Sequence, residues 1–248
     1  MNIVDKASGL KHAKKKSVRN TIVDNILSQS YILRQTVILI DYQAQRLICR
    51  NHNPSLRSIF EDEEMDMPMG QGFLWKNLSK EEFALYRRIL LIMSEYRKNS
   101  ALSGHLYHFT FNVALQTNTG TIQMIQFKAM PLFHINVYPN KIPCFTYSLL
   151  EPANGLCSGN LTLHDFTNQK KYYYLLLMKG NKESFVVLEE AELYIFQLVA
   201  KGCVETEIAE ILKISFGTLK YLKSKILLQA NVQSTAQLIA LLTRQGFI

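Results

Sequence analysis

Two short apolar-periodic runs near the C-terminus constrain the fold of this chain most strongly. They lie between Ala200 and Leu227, in the stretch AKGCVETEIAEILKISFGTLKYLKSKIL, and only Lys213-Ile214-Ser215 separates them. Apolar residues that recur every three or four positions are typical of amphipathic helices. The pattern therefore predicts two short helices joined by a tight turn, which is either a DNA-reading helix-turn-helix or a packed helical hairpin.

Individual residues at the helix ends favour the helix-turn-helix. Gly202 can adopt the left-handed backbone that ends the preceding helix. Ala209 is small at the point where two helices must cross closely. Ser215 is a natural N-cap for the second helix, with Thr218 at the third helical position. The residues at the helix ends and the apolar spacing therefore both favour a helix-turn-helix.

The second helix has two distinct faces. At 100° per residue, Leu219, Leu222 and Ile226 cluster on one side. The opposite side carries Gly217, Lys220, Tyr221 and Ser224, with Lys223 and Lys225 to either side. A face with lysine, tyrosine and serine but no acid suits a helix in a DNA major groove. The lysines would contact phosphates, and the other side chains would lie nearer to base edges.

From Leu188 to the end, the sequence resembles the helix-turn-helix domain of LuxR/GerE-type transcriptional regulators. The matching positions of the first part are Leu188, Glu192, Ile195, Phe196, Leu198, Ala200 and Gly202. Those of the second part are Glu207, Ile208, Ala209, Leu212, Ile214, Ser215, Thr218, Leu219 and Lys220. The resemblance covers about the last quarter of the chain and implies a regulator that binds duplex DNA.

The resemblance and the exposed face together give a set of expected DNA-binding residues. They are Thr206, Ser215, Gly217, Thr218, Lys220, Tyr221, Lys223 and Ser224. Departures from the family pattern weaken this expectation, because Val204-Glu205-Thr206 replaces Ser-Asn-Lys. Val204 is a poor N-cap, and Glu205 brings negative charge to a surface that phosphates would approach. The alternative is a helix-turn-helix retained for dimerisation without DNA binding.

The last predicted helix has two open interpretations. Ser234 caps it, and Leu238, Leu241 and Leu242 form an apolar face. In LuxR-like domains this helix commonly pairs two subunits, so the resemblance implies a homodimer. Burial of the same leucines within one subunit is the simpler account of some of them.

Segments in which apolar residues recur at every second position dominate the middle of the chain. QTVILIDY, QRLICR, HLYHFTFNVALQ, TIQMIQFKAMPLF, PCFTYSLLE, LTLHDF and YYYLLLM are predicted strands. A helix interrupts them, with Ser79 as N-cap and Glu82 three residues later in a capping box. An earlier short helix is predicted from Thr21 to Leu33, with apolar positions Ile22, Ile26 and Leu33. The order favours an antiparallel sheet with helices.

This order of elements resembles a PAS domain over roughly Ile32 to Glu151. The segment GFLWKNLSKEEFALYRRIL is similar to the stretch in which PAS domains enter their long connecting helix. The resemblance implies a sensory or dimerisation domain, with an unknown signal and no cofactor assigned. A generic α+β domain with a meander sheet is the alternative. If Phe109, Phe111, Phe127 and Leu132 packed the sheet solid, that would count against a ligand cavity.

The composition is basic overall, but the positive charge is distributed unevenly along the chain. The chain has 248 residues, a formal net charge of +8 and a pI of about 9.2, which suits an anionic partner. Much of the excess lies in Lys11, Lys14, Lys15, Lys16 and Arg19. This segment is predicted to be a solvated tail rather than a nucleic-acid arm. The last sixty or so residues balance lysines against glutamates, so net charge alone does not indicate DNA binding.

Several classes of site are not expected. The four cysteines form no C-x-x-C pair, which argues against zinc and against a disulfide framework. His105 and His108 would point to opposite faces of a strand, and the acidic loop from Glu61 to Asp66 lacks calcium-loop spacing. No phosphate-loop, dinucleotide or nucleophile-elbow motif is present, so neither a catalytic site nor a metal site is predicted.

These observations combine into one α+β interpretation. Residues 1–30 are a basic tail and short helix, 31–180 a PAS-like antiparallel sheet domain, and 185–248 a small all-α helix-turn-helix domain. No secretory signal or membrane span is recognised, so a cytoplasmic protein is expected. The predicted function is sequence-specific DNA binding by a homodimer, with a small-molecule ligand in the sheet domain left open. An enzyme or ligand-binding protein centred on residues 31–180 is the third hypothesis.

Overall fold

The structure is a computed structural model that describes most of the chain. The described residues are 21, 23–42, 44–60, 62–68, 76–100, 106–132, 145–155, 157–179 and 182–248. The predicted basic tail, Ile22, His105, His134 and Cys144 lie outside them.

Nine strands form one antiparallel sheet, in the order β3-β2-β1-β6-β5-β4-β7-β8-β9. They are β1 Thr36–Asp41, β2 Arg46–Asn51, β3 Glu64–Pro68, β4 Tyr107–Gln116, β5 Ile122–Leu132, β6 Phe145–Pro152, β7 Gly159–Asp165, β8 Lys170–Lys179 and β9 Lys182–Glu189. Every predicted strand is found in this sheet. An antiparallel sheet followed by C-terminal helices confirms the predicted α+β class.

Two strands were not expected from the sequence. The prediction of a solvated acidic loop is wrong for β3, which pairs with β2 and places Met65 opposite Cys49. Its acidic residues still face solvent, because the strand alternates exposed and half-buried positions. On that exposed side, Asp66 pairs with Arg46 and Glu64 pairs with Arg50. β9 is the second unexpected strand, and it runs directly into the C-terminal helices.

The helices lie before, within and after the sheet. They are α1 over residues 21–32, α2 Lys80–Ser100, α3 Glu190–Ala200, α4 Glu205–Leu212, α5 Phe216–Ala230 and α6 Thr235–Arg244, with a 3-10 turn at Pro54–Leu56. At the start of α2, the Ser79 Oγ accepts the Glu82 N–H at 3.1 Å, as the predicted N-cap requires. The Glu82 carboxylate accepts the Ala114 N–H at 3.0 Å and so ties α2 to β4.

α1 and α2 cover different parts of the sheet. α2 packs Tyr86, Ile89 and Ile92 into the main core of the sheet domain. α1 packs instead against a separate cluster around Leu39 and Ile48. The inward residues of α1 are Val23, Ile26 and Leu27. The predicted apolar role of Leu33 is wrong, because this residue follows the end of the helix and is 60% exposed.

The β8–β9 hairpin contributes to two cores at once. Successive side chains of a strand point to opposite faces, so Leu175 and Leu176 face different neighbours. Leu176 belongs to the main core of the sheet domain. Leu175 joins Val186 and Leu188 of β9 in a second core, which includes Phe196 of α3 and residues of α5 and α6. The division between residues 31–180 and 185–248 stays a prediction, and β9 lies across it.

A glutamine just beyond α6 completes the backbone of β8. The Gln245 Nε2 donates to the Leu176 carbonyl at 2.7 Å, and its Oε1 accepts the Leu176 N–H at 2.9 Å. β7 pairs with β8 only from Lys170 to Tyr173, so this part of β8 lies beyond the neighbouring strand. The buried amide of Gln245 therefore makes the two hydrogen bonds that a continued strand would make.

We expect Gln245→Met to destabilise the protein by about 2 kcal/mol. The substitution keeps the side-chain length but leaves the buried N–H and C=O of Leu176 without partners. The measurement is the free energy of unfolding from urea denaturation. Gln229→Met, at an exposed glutamine of α5, is the control and should change this free energy little. Equal stability of the two variants would contradict the role given to Gln245.

Candidate nucleic-acid interface

The turn between α4 and α5 has the geometry that the sequence predicts. α3 is followed by Gly202 in the left-handed region, with φ of 89°, which confirms its predicted role. The Ser215 Oγ accepts the Thr218 N–H at 3.1 Å and caps α5, as expected. Ala209 is buried between the helices, beside Leu219. α4 and α5 therefore form a helix-turn-helix with a shared apolar core.

Lys213 shapes the same turn without any sequence signal. It lies in the left-handed region with φ of 54°, where glycine or asparagine is usual. At the other end of α4, the Val204 side chain makes no capping hydrogen bond, in agreement with its description as a poor N-cap. The Glu207 carboxylate accepts the Val204 N–H at 3.0 Å instead.

Most of the expected DNA-binding residues lie on the exposed surface of this unit. Those with exposed positions are Thr206, Ser215, Gly217, Thr218, Lys220, Tyr221 and Ser224. On α5, Leu219 and Ile226 are fully buried on the opposite side. The hydroxyls of Ser215 and Thr218 lie 2.9 Å apart, so the predicted residues at the start of α5 also build its cap.

Lys223 differs from the rest of the set. Its ammonium lies 2.5 Å from the Glu205 carboxylate, and its side chain is only 14% exposed. This hydrogen bond lowers the pKa of Glu205, so its carboxylate is charged at neutral pH. Lys223 is therefore held against the first turn of α4 and is not presented on the outer face of α5.

Lys225 also forms an ion pair, whereas Lys220 has no such partner among the described residues. The Lys225 ammonium lies 2.8 Å from the Glu192 carboxylate of α3, and that contact raises the pKa of the lysine. Among the described residues, Lys220 makes no ion pair. Its ammonium lies 4.5 Å from the ring centroid of Phe216, a cation–π distance. Lys220 is thus the available cation of α5.

Phe216 is the residue of this surface that the sequence prediction omits. It is the first residue of α5 and remains 42% exposed. Its position four residues before Lys220 places both side chains on neighbouring turns of one helix face. That spacing was the available signal, but an exposed aromatic residue cannot be told from a buried one by spacing alone.

The apolar face of α6, the last helix, is explained in part by burial within one subunit. Leu238 and Leu242 are fully buried in the core that α6 shares with the β8–β9 hairpin. The Ser234 Oγ accepts the Gln237 N–H at 3.2 Å, which confirms the predicted cap. Ala236 and Ala240 lie on the exposed side of α6. These two small residues are therefore on the surface of α6, unlike Leu238 and Leu242.

A cavity of about 430 Å³ lies between α2 and the sheet. Phe109, Phe111 and Phe127 line it together with Tyr86, so these aromatic residues do not pack the sheet solid. Leu132 packs beside Tyr147 in the cluster that α1 covers. A solidly packed sheet, which would have counted against a ligand cavity, is therefore not observed in the described residues.

One end of the cavity is polar. The Arg97 Nη1 donates to the Tyr42 hydroxyl at 3.1 Å, and that hydroxyl lies 2.9 Å from the Thr146 Oγ1. The Tyr107 hydroxyl is buried and finds no hydrogen-bond partner among the described residues. Burial raises the pKa of Tyr107, so the hydroxyl keeps its proton and can act as a donor. The cavity thus combines aromatic walls with the Arg97 guanidinium at one end.

The described residues contain no group of three histidine, cysteine or acidic side chains that could hold a metal ion. His108 is half-buried, and its ring stacks on His164 at 4.4 Å between centroids. Burial and this neighbour lower the pKa of His108 to about 4, so the pair is neutral at pH 7. No described helix has the length and apolar character needed to cross a bilayer.

Comparisons with solved structures give low similarity scores. A phage VqmA–DPO complex aligns at 13% identity over 92% of this chain and 89% of the other, with a TM-score of 0.35. VqmA bound to DPO aligns at 15% identity over 63% and 59%, with a TM-score of 0.23. A Vibrio cholerae VqmA dimer without its target DNA aligns at 16% identity over 63% and 62%, also at 0.23. For the last two, the alignment thus spans about six-tenths of the length of the VqmA chain.

Comparison with protein families is more specific. No curated protein matches the sequence. Residues 186–242 match the GerE family model, described as bacterial regulatory proteins of the luxR family. This range includes the end of β9, the whole of α3, α4 and α5, and most of α6. The C-terminal part of the chain is therefore a helix-turn-helix domain of the LuxR family of DNA-binding regulators.

Proposed function

We propose that this protein is a transcriptional regulator that binds specific duplex DNA through α5. The observation that carries the proposal is the outer face of α5, where Lys220, Tyr221 and Ser224 are exposed and no acid interrupts them. A lysine supplies phosphate or guanine contacts, and the other two side chains can donate to base edges. Thr206, Ser215, Gly217 and Thr218 surround this face as supporting contacts.

The proposed active form is a homodimer. Two recognition helices that enter successive major grooves must lie about 34 Å apart. The exposed alanines of α6, Ala236 and Ala240, allow a second helix to approach closely. Such a regulator would act in the compartment that holds the chromosome, which is the cytoplasm in bacteria.

The sheet domain would supply the regulatory signal by binding a small molecule in its cavity. A volume of about 430 Å³ lies within the range of small-molecule sites. The aromatic walls favour a compact apolar body, and Arg97 favours a hydrogen-bond acceptor at one end. The PAS-like character of this domain stays part of the proposal.

A second candidate function is dimerisation without DNA binding. The two ion pairs of α5 favour it, because Glu205 and Glu192 compensate the charges of Lys223 and Lys225. In that case the protein would form dimers but show no affinity for duplex DNA, even at low salt. A salt-sensitive complex with duplex DNA would exclude this candidate.

The test of DNA binding is selection of bound sequences from random duplexes, followed by affinity measurements at several salt concentrations. We expect Lys220→Ala to weaken binding and to reduce the magnitude of the salt slope by about 0.9, the value for one lost phosphate contact. Lys80→Ala, at an exposed lysine of α2, is the control and should leave both quantities unchanged. An unaltered slope in Lys220→Ala would reject this lysine as a phosphate contact.

Glu205→Gln should strengthen DNA binding and make it more salt-dependent. The substitution removes a negative charge from the interface and releases Lys223 from its ion pair, so one further cation can reach a phosphate. Fluorescence anisotropy with a selected duplex would measure the change. Glu210→Gln alters an exposed acid of the same helix and serves as the matched control. If Glu205→Gln binds DNA no more tightly than Glu210→Gln, the ion pair does not restrain Lys223.

Tyr107→Phe should leave the stability of the ligand-free protein unchanged or raise it by about 1 kcal/mol. The substitution removes a buried hydroxyl that has no protein partner in the described structure. Tyr42→Phe is the comparison variant, and it should destabilise the protein because it removes hydrogen bonds to Arg97 and Thr146. Urea denaturation of protein refolded from denaturant gives both free energies. A larger loss in Tyr107→Phe than in Tyr42→Phe would show that the Tyr107 hydroxyl is structural.

A further inference from the structure

Phe216 occupies an unusual place for a large apolar side chain. It begins α5, directly after the Ser215 cap, and 42% of it is exposed. Full burial of a phenylalanine side chain contributes about 1.5–3 kcal/mol, so this fold leaves part of that stabilisation unused. The nearby core of the helix-turn-helix is already formed by Leu219, Ile208 and Ala209. Phe216 is therefore not needed to fill that core.

The contact with Lys220 orients the exposed ring. The ammonium of Lys220 lies 4.5 Å from the Phe216 ring centroid, one helical turn away. Such a contact holds the lysine over one face of the ring and leaves the ring edge open. The two side chains thus form one unit, with a cation beside an apolar edge at the N-terminal end of α5.

The N-terminal end of a recognition helix is the part that contacts base edges in the major groove. The apolar group that the major groove offers there is the 5-methyl of thymine, and phenylalanine is among the side chains that contact it. We propose that Phe216 is a specificity-determining residue that contacts a thymine methyl group. Lys220, held beside the ring, contacts the adjacent phosphate or guanine. This inference rests on the proposed DNA binding.

Replacement of thymine by deoxyuridine tests the contact, because it removes only the 5-methyl group. The full chain is first used to select sequences from random duplexes. Each thymine of the selected site is then replaced singly by deoxyuridine, and affinity is measured at fixed salt. For the wild-type protein, one position in each half-site should lose about fourfold in affinity, the value of one buried methyl group.

Variants assign this loss to Phe216. In Phe216→Ala, thymine and uracil at that position should bind equally well, because the partner of the methyl group is gone. Tyr194→Ala is the control, since it removes an exposed aromatic residue of α3 outside the proposed DNA-binding face and should preserve the fourfold difference. Phe216→Leu keeps an apolar side chain and should retain part of it. Thermal unfolding of each variant reports whether its fold is intact.

The outcomes separate this inference from the function on which it rests. Failure to enrich any sequence would overturn the proposed DNA binding and the role of Phe216 together. Enrichment without any uracil effect in the wild-type protein would overturn the Phe216 contact alone, and this scan needs no variant. A uracil effect that persists in a folded Phe216→Ala protein would also overturn it.

Discussion

The β8–β9 hairpin is the element on which the arrangement of the whole chain depends. One of its faces completes the core of the sheet domain through Leu176, and the other completes the core of the helical domain through Leu175. The Gln245 amide then fixes the C-terminal end of the helical domain to the backbone of Leu176. Because the same hairpin serves both cores, a change in the packing of the sheet can reach the helix-turn-helix through few contacts.

Charge is distributed on the helical domain so that one lysine of α5 stays available. Lys223 and Lys225 are drawn to acids of α4 and α3, and these pairs hold the three helices together. Lys220 lies over Phe216 and faces outward. Under the proposed function, affinity for DNA would depend on few cations, and sequence recognition would depend more on the uncharged side chains of the outer face.

Local sequence signals predicted the helix-turn-helix, whereas contacts between residues distant in sequence could not be predicted. Gly202 and Ser215 act within one turn of the chain, so their roles could be inferred from spacing. The Gln245–Leu176 contact joins residues 69 positions apart, and nothing in either neighbourhood marks it. The pairing of Lys223 with Glu205 also depends on how α4 and α5 cross. β3 was not predicted from the sequence because its acidic residues suggest a loop. The strand forms nevertheless, because its backbone pairs with that of β2 and the acidic side chains do not interfere.

Amide hydrogen exchange of the full chain, with and without a selected duplex, tests the central claim most directly. The account predicts that DNA slows exchange at the start of α5, from Phe216 to Lys220, and also at Leu176 of the hairpin. At α5, the protection would come from contact with the duplex. At Leu176, it would come from the hydrogen bond between the Leu176 N–H and the Gln245 side chain. Protection confined to the sheet domain, with α5 unchanged, would contradict the assignment of α5 as the DNA-reading helix.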